Sequence, residues 1–176
     1  MDLSLKLASE VGADIIVAND PDADRCAVGV RDGESYRMLS GDQVGALLAD
    51  FLLRRGVTGT YAASIVSSDL LGRQAKAHGQ PWQQTLTGFK WIGKIPDLAF
   101  GYEEALGYAV APDIARDKDG VSAIITVLEL AAGLKAEGRT LVDRLDEIYR
   151  EHGLHATTQL SVRVDDLEII RRAMDT

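Results

Sequence analysis

Cys26 is the only cysteine in this chain, so no internal disulfide can form and a reducing compartment suits it. It lies in an apolar run, which favours a buried, inert thiol over a nucleophile. No apolar run approaches the roughly 20 residues of a membrane-crossing helix. The N-terminus also lacks a basic region followed by a hydrophobic one, so the cytoplasm is the default compartment. Positive charge is scarce as well. Nineteen Lys and Arg against 27 Asp and Glu leave a net charge of −8, which argues against a nucleic-acid surface and against anionic membranes. An anionic substrate stays open, because a local cation and a few arginines reverse the field inside one cleft. Internal repeats, low-complexity tracts and long linkers are absent too. What remains is the composition of an ordinary soluble protein, 46% hydrophobic and 26% charged over 176 residues, enough for one or two domains.

The apolar pattern alternates between two periods. Residues 2–11 place Leu3, Leu7 and Val11 on one helical face, with Gly12 as the stop. A buried strand over 14–18 follows, then an acidic loop, a strand over 26–30 and a turn at Asp32-Gly33 into Tyr36–Leu39. A chain that opens in mid-helix reads as part of something longer. From Ser40, a capping box with Gln43 starts a helix whose stripe is Val44, Leu47, Leu48, Phe51 and Leu52. Strands are expected at 60–66, 82–86, 98–100 and 108–111. A helix capped by Ser67-Ser68-Asp69 runs to about His78, and Thr87-Gly88-Phe89-Lys90 opens a further helical turn. The longest helix carries Val121, Ile124, Ile125, Leu128 and Ala132 and stops at Gly138, and Thr140 with Asp143 caps the next, which runs to Gly153. The tail alternates at Leu160, Val162 and Val164, before Asp165-Asp166 caps a short helix with Leu167, Ile169 and Ile170. Strands alternating with helices over 40–155 argue for an α/β sandwich around a mixed or parallel sheet.

Four loops carry the chemistry. Asn19-Asp20-Pro21-Asp22-Ala23-Asp24-Arg25 sets three carboxylates at alternate positions behind a strand, a hard oxygen set suited to Mg²⁺. Arg25 adds a planar donor group that fits a phosphate or carboxylate, so the pair suits phosphoryl chemistry. Asp-Pro-Asp is also a common turn former, but a plain turn would not require three acids to crowd together. A calcium-hand loop is excluded, because the sixth and twelfth positions counted from Asp20 hold Arg25 and Arg31 in place of Gly and Glu. Gly101-Tyr102-Glu103-Glu104-Ala105-Leu106-Gly107 sets paired acids between glycines, either to accept hydrogen bonds from neighbouring sugar hydroxyls or as a polar hairpin tip. Arg116-Asp117-Lys118-Asp119-Gly120 supplies a helix cap and, in Lys118, a proton donor or phosphate contact. Thr87-Gly88-Phe89-Lys90-Trp91 either holds a ligand by backbone and ammonium or simply starts a helix.

These loops, in this order, resemble the α-D-phosphohexomutases, the phosphoglucomutase and phosphomannomutase family. The match rests on Asp20-Pro21-Asp22-Ala23-Asp24-Arg25, Thr87-Gly88-Phe89-Lys90, Gly101 to Gly107 and Asp117-Lys118-Asp119-Gly120, and covers nearly the whole chain. The resemblance implies the end of a second domain over 1–39, holding Mg²⁺ on Asp20, Asp22 and Asp24. It implies a third, sugar-binding αβα domain with a mixed sheet over 40–158, and a connection toward a fourth domain over 159–176. It places Arg25 near the phosphoryl group, Lys118 as a substrate contact or acid/base, and Glu103 on sugar hydroxyls. Thr87, Gly88 and Lys90 would be its companions. Ala105 stands where the family commonly has serine, which leaves the sugar open, although Glu-Glu-Ala-Leu-Gly looks closer to the phosphoglucomutase and phosphopentomutase branch. The implied reaction moves a phosphoryl group between C1 and C6 of a hexose phosphate, glucose or mannose, through an enzyme phosphoserine and a bisphosphorylated sugar. That serine belongs to a first domain, and a phosphate-gripping loop to the fourth. Neither is found in this chain, where Ser67-Ser68 sits in the wrong sequence setting, so it is expected to be inactive alone.

Two rival classes remain. A haloacid-dehalogenase-type phosphatase wants Thr or Val after its acidic pair, where Arg25 stands. A non-catalytic phosphosugar-binding module would use the same loops without turnover.

Overall fold

The computed structural model describes residues 1–158 and 164–174. Fourteen elements follow in order: α1 (Asp2–Val11), β1 (Ile15–Asn19), β2 (Cys26–Asp32), β3 (Ser35–Met38), α2 (Gly41–Arg54), β4 (Thr60–Ser64) and α3 (Leu70–Ala77), then β5 (Trp82–Thr85), α4 (Phe89–Ile92), β6 (Leu98–Glu103), β7 (Gly107–Ala109), α5 (Gly120–Ala136), α6 (Leu141–His152) and α7 (Leu167–Met174). The expected strand through Leu160, Val162 and Val164 falls almost wholly outside the described residues.

Two sheets form. The first is an antiparallel meander, β1-β2-β3, with Ile15 opposite Val30 and Asn19 opposite Cys26. The second is mixed, in the order β5-β4-β6-β7, with β4 parallel to both its neighbours and β7 antiparallel to β6. Helices α2, α3 and α5 cover one face of it through the main core, with α6 packed against α2 and β2, and α4 with the following Ile95 covers the other through Phe89 and Ile92. This is an αβα sandwich, as expected.

Strand β6 decides which side chains reach which layer. Its register against β4 jumps: Thr60 pairs with Leu98, yet Tyr61 pairs with Phe100, so Ala99 is an inserted residue. Side chains alternate along a strand, and one extra residue flips everything beyond it. Leu98 therefore faces the α4 layer, whereas Phe100 and Tyr102 face the main core, where Tyr102 stacks with Phe100 and Tyr108 and Phe100 meets Tyr61 at a tilt, at centroid spacings of 6.1–6.3 Å. Gly101 lies against Ile92 of α4, and Glu103 follows it on that same side.

Several expected boundaries moved. Strand β4 stops at Ser64, because Ile65 and Val66 turn outward and lie 59% and 58% exposed. Strand β6 runs on to Glu103, so the acidic pair begins inside the sheet and not in a loop. Helix α5 forms, but its buried side is Ala123, Val127, Leu130 and Leu134, while Val121, Ile125 and Leu128 are exposed. The helix is apolar nearly all round, so two stripes of equal spacing compete, and the strands it packs against decide which one is buried. In α1 the stripe Leu3, Leu7 and Val11 forms but faces solvent, and Ala8 is the buried residue. Both capping boxes form, Ser40 with Gln43 and Thr140 with Asp143. At α3 the cap is not Asp69's side chain; instead Ser68 Oγ accepts from Leu70 N at 3.2 Å.

Candidate active site

The loop between β1 and β2 is tied at every turn. Arg25 N donates to Asp20 Oδ1 (3.1 Å), Ala23 N to Asp20 O (3.0 Å) and Asn19 Nδ2 to Arg25 O (2.6 Å). Ala23 takes a left-handed φ of 58°, costly for a residue with a Cβ. Its carbonyl thereby accepts from Gly120 N (2.9 Å), the first residue of α5. Gly120 itself admits no side chain, since a Cβ there would collide with Asn19 Nδ2 and stand 2.5 Å from Arg25 O.

So folded, the loop brings carboxylate oxygens of Asp20, Asp22 and Asp24 within 4.8 Å of one another. Asp24 Oδ2 accepts from Lys118 Nζ, and Arg25 Nε lies 3.3 Å from Asp20 Oδ2 and 3.6 Å from Asp24 Oδ1. The Lys118 ammonium holds the Asp24 carboxyl below the usual carboxylate range, against partial desolvation. Asp24 Oδ1 is buried and has no hydrogen-bond partner among the described residues. A buried acceptor left open beside two further carboxylates is the arrangement that a hard divalent cation completes, and the all-oxygen donor set fits Mg²⁺.

The mixed sheet meets this loop edge to edge. Arg25 bridges Gly107, and Cys26 N donates to Leu106 O (3.0 Å). Leu106 is the second non-glycine residue with positive φ, 69°, which turns that carbonyl toward β2. Lys118 runs across Gly107, whose missing Cβ leaves room for the lysine stem. From Gly107 the hairpin register leads directly to Glu103, its opposite number. Glu103 Oε1 accepts from Gly88 N at 2.7 Å, and Gly88 reaches that position with φ of 102°. Thr87 and Ala105 are exposed at the tips of their loops, and Lys90 Nζ lies over the Trp91 ring at 5.5 Å, a ring it shares with Lys94.

The acidic pair divides its labour. Glu103 faces Gly88, whereas Glu104 turns back, its Oε2 accepting from Ser64 Oγ (3.1 Å) and Ser67 Oγ (3.0 Å). Ser67, whose sequence setting is wrong for a phosphoserine, is thereby engaged in the fold. Sequence reasoning quoted Asn19 and Gly120 in their loops without seeing that the two meet, and it missed Asp42 and Ser64. Only the alternation in Leu98–Glu103 carried a hint, since neighbours on one strand point to opposite layers. The loops after β4, β5 and β6 all lie at carboxyl ends of parallel strands, where the order departs to either side of β4; ligands of open α/β sheets collect there.

Fold and loops together define an α/β protein whose acidic loop meets the hairpin of a mixed sheet, and comparison narrows this. Residues 40–152 match the family domain described as phosphoglucomutase/phosphomannomutase, alpha/beta/alpha domain III. The chain belongs to the phosphoglucomutase/phosphomannomutase family. A probable phosphomannomutase of Haemophilus influenzae is 48% identical over 99% of this chain and 36% of that protein. The phosphopentomutase of Homo sapiens is 38% identical, over 98% of this chain and 31% of its own length. Among solved structures, a candidate phosphomannomutase from Thermus thermophilus superposes with a TM-score of 0.73 at 28% identity, over 88% of this chain and 36% of that one. The chain thus spans about a third of the length of the curated relatives it matches. Nothing in these comparisons favours a haloacid-dehalogenase phosphatase.

Proposed function

We propose that this chain supplies the metal-holding and sugar-reading loops of a phosphohexomutase, an isomerase that moves a phosphoryl group between C1 and C6 of a hexose phosphate. The observation that carries the reading is the junction of Asp20, Asp22 and Asp24, through Lys118 and Gly107, to Glu103. Mg²⁺ held on the three carboxylates would offset charge on the transferring group. Arg25 would orient phosphoryl oxygens by its planar donors, and Lys118 would hold a proton at the hydroxyl that gains or loses the group. Glu103 would accept from two adjacent sugar hydroxyls, with Thr87, Gly88 and Lys90 around it, and the Ala105 methyl adds no hydrogen bond.

In the half-reactions so implied, a phosphoserine gives its phosphoryl group to one sugar hydroxyl, forming a bisphosphorylated sugar. The sugar turns round, and its other phosphate returns to the serine. That serine and the loop gripping the second phosphate would come from the two-thirds of the relatives that this chain does not span. Matching relatives bear the names of phosphomannomutase, phosphopentomutase and phosphoglucomutase, which supports a sugar phosphate as the partner. The buried single thiol and acidic charge suit a cytoplasmic enzyme.

The test is a Mg²⁺ and glucose 1-phosphate titration of the ¹⁵N-labelled chain, followed by NMR. Shifts confined to residues 20–25 with Mg²⁺, lost in Asp20→Asn and Asp24→Asn, and at Gly88 and Glu103 with the sugar are expected. Mg²⁺ shifts that persist in both variants would refute the metal assignment. Conversion of glucose 1-phosphate to glucose 6-phosphate by the 176-residue chain alone would refute the division of labour.

A further inference from the structure

Glu103 is flanked by neighbours that are engaged with the rest of the fold. The residues on either side of it in β6 and its turn point into the opposite layer, and each ends in a polar node. Tyr102 OH donates to Asp42 Oδ1 at 2.8 Å, in the main core where both are buried, and Ser68 N donates to that same oxygen at 2.8 Å. Glu104 Oε2 receives Ser64 and Ser67, whose hydroxyl oxygens lie 2.7 Å apart, and Glu104 N donates to Ser67 Oγ at 3.1 Å. Both serines are buried, at 0% and 8% exposure, so neither hydroxyl can turn to water if the carboxylate leaves. The Glu104 carbonyl rests on Gly41, where a Cβ would collide with it. The backbone of residues 102–104 is thus fixed by four side-chain hydrogen bonds and one close approach.

We propose that Glu104, with Ser64 and Ser67, and Asp42, through Tyr102, are positioning residues that aim the Glu103 carboxylate at Gly88 and so set which pair of sugar hydroxyls it meets. The first part stands on the geometry alone; the second rests on the assignment of Glu103 to the sugar. A strand end carries a side chain only as accurately as its backbone is held, and a carboxylate reading vicinal hydroxyls tolerates little drift. The paired acids are therefore two different devices: one faces the ligand side, and the other anchors the turn.

Amide exchange of the ¹⁵N-labelled 176-residue chain reads the aim of Glu103 without any ligand, because Gly88 N–H is its hydrogen-bond donor. Glu104→Ala speeds exchange at Gly88 at least ten-fold and leaves Ala62, in the middle of β4, unchanged. Glu104→Gln, whose amide oxygen still accepts from the serines, stays within about three-fold. Ser67→Ala, which keeps the carboxylate and removes one donor, gives an intermediate value and serves if Glu104→Ala does not fold. Unchanged exchange at Gly88, or equal acceleration at Gly88 and Ala62, overturns the proposal. Binding of glucose 1-phosphate and mannose 1-phosphate to the same variants separates the two parts. If Gly88 responds as expected and neither sugar phosphate perturbs Gly88 or Glu103, the sugar assignment fails and the positioning stands. If both bind and Glu104→Ala leaves their affinity ratio unchanged within two-fold, the selectivity part fails. A five-fold or greater change in that ratio supports it, since general loosening would weaken both alike.

Discussion

Gly120 shows how much of the site depends on an atom that is not there. It starts α5, it donates to Ala23 O, and its α-carbon faces Asn19 and the carbonyl of Arg25. A methyl group would meet Arg25 O at 2.5 Å and Ala23 O at 2.7 Å, both backbone atoms that move only if the acidic loop moves with them. Overpacking of this kind costs about 1–3 kcal/mol. Gly120→Ala is therefore expected to lower stability by about 2 kcal/mol and to weaken Mn²⁺ binding, followed by electron paramagnetic resonance, by an order of magnitude. A variant with full metal affinity would show that the loop's geometry does not depend on α5. The acids themselves were legible in the sequence, because three carboxylates at alternate positions are a chemical pattern whatever the fold. Gly120 was not. Its partner atoms lie about a hundred residues away in sequence, and a glycine beside an N-cap aspartate has an ordinary local explanation. Ser64 and Ser67 were hidden for the same reason, since they meet Glu104 across separations of 40 and 37 residues.

Helix ends were read more easily than helix faces. The capping box of α6 joins Thr140 and Asp143 reciprocally: Asp143 N donates to Thr140 Oγ1 (3.1 Å), while Thr140 N (2.8 Å) and Oγ1 (2.7 Å) reach Asp143 Oδ2. The Thr140 hydroxyl, then its N–H, hold the Asp143 carboxyl below its ordinary range. A carboxylate with a lowered folded-state pKa stabilises the protein fully above its unfolded-chain value and loses that contribution as pH falls through the folded-state value. Thr140→Ala should cost about 1 kcal/mol at neutral pH. The difference between variant and parent, measured by urea unfolding, should shrink as pH falls below the ordinary carboxylate range. A difference that grows on acidification would contradict this account of the cap. Such motifs are local, four residues that satisfy their own orphan donors, so the sequence alone reveals them. Faces are not local. In α5 the apolar residues run nearly all round, and only the sheets beneath decide that Ala123 and Val127 go inward while Ile125 stays at 63% exposure. The reach of β6 to Glu103 was likewise invisible, because the register jump at Ala99 comes from its pairing with β4.

The two sheets share one core. Cys26, Val28 and Val30 of β2 belong to the same buried cluster as Tyr61, Phe100, Tyr102 and Tyr108 of the mixed sheet, with α5 and α6 packed between. A site assembled from a loop of one sheet and a hairpin of the other requires that neither sheet opens alone, and the continuous core is the physical means to that end. Two built-in probes report the sheets separately. Cys26 in β2 is fully buried, and burial pushes its thiol up to about 11, so it reacts with a thiol reagent only when the first sheet opens. The stacked aromatic rings of β4, β6 and β7 give a near-ultraviolet circular dichroism signal that vanishes when the second sheet loosens. Thiol exposure and ring signal are expected to share one urea midpoint, the sign of a single cooperative unit. Val28→Ala removes buried methyl groups from β2 and should shift both curves together to lower urea, by about 1–3 kcal/mol. Were Cys26 to become reactive at a denaturant concentration where the rings still pack, the first sheet would be an independent unit. The junction at Gly107 and Gly120 would then join two bodies that unfold separately.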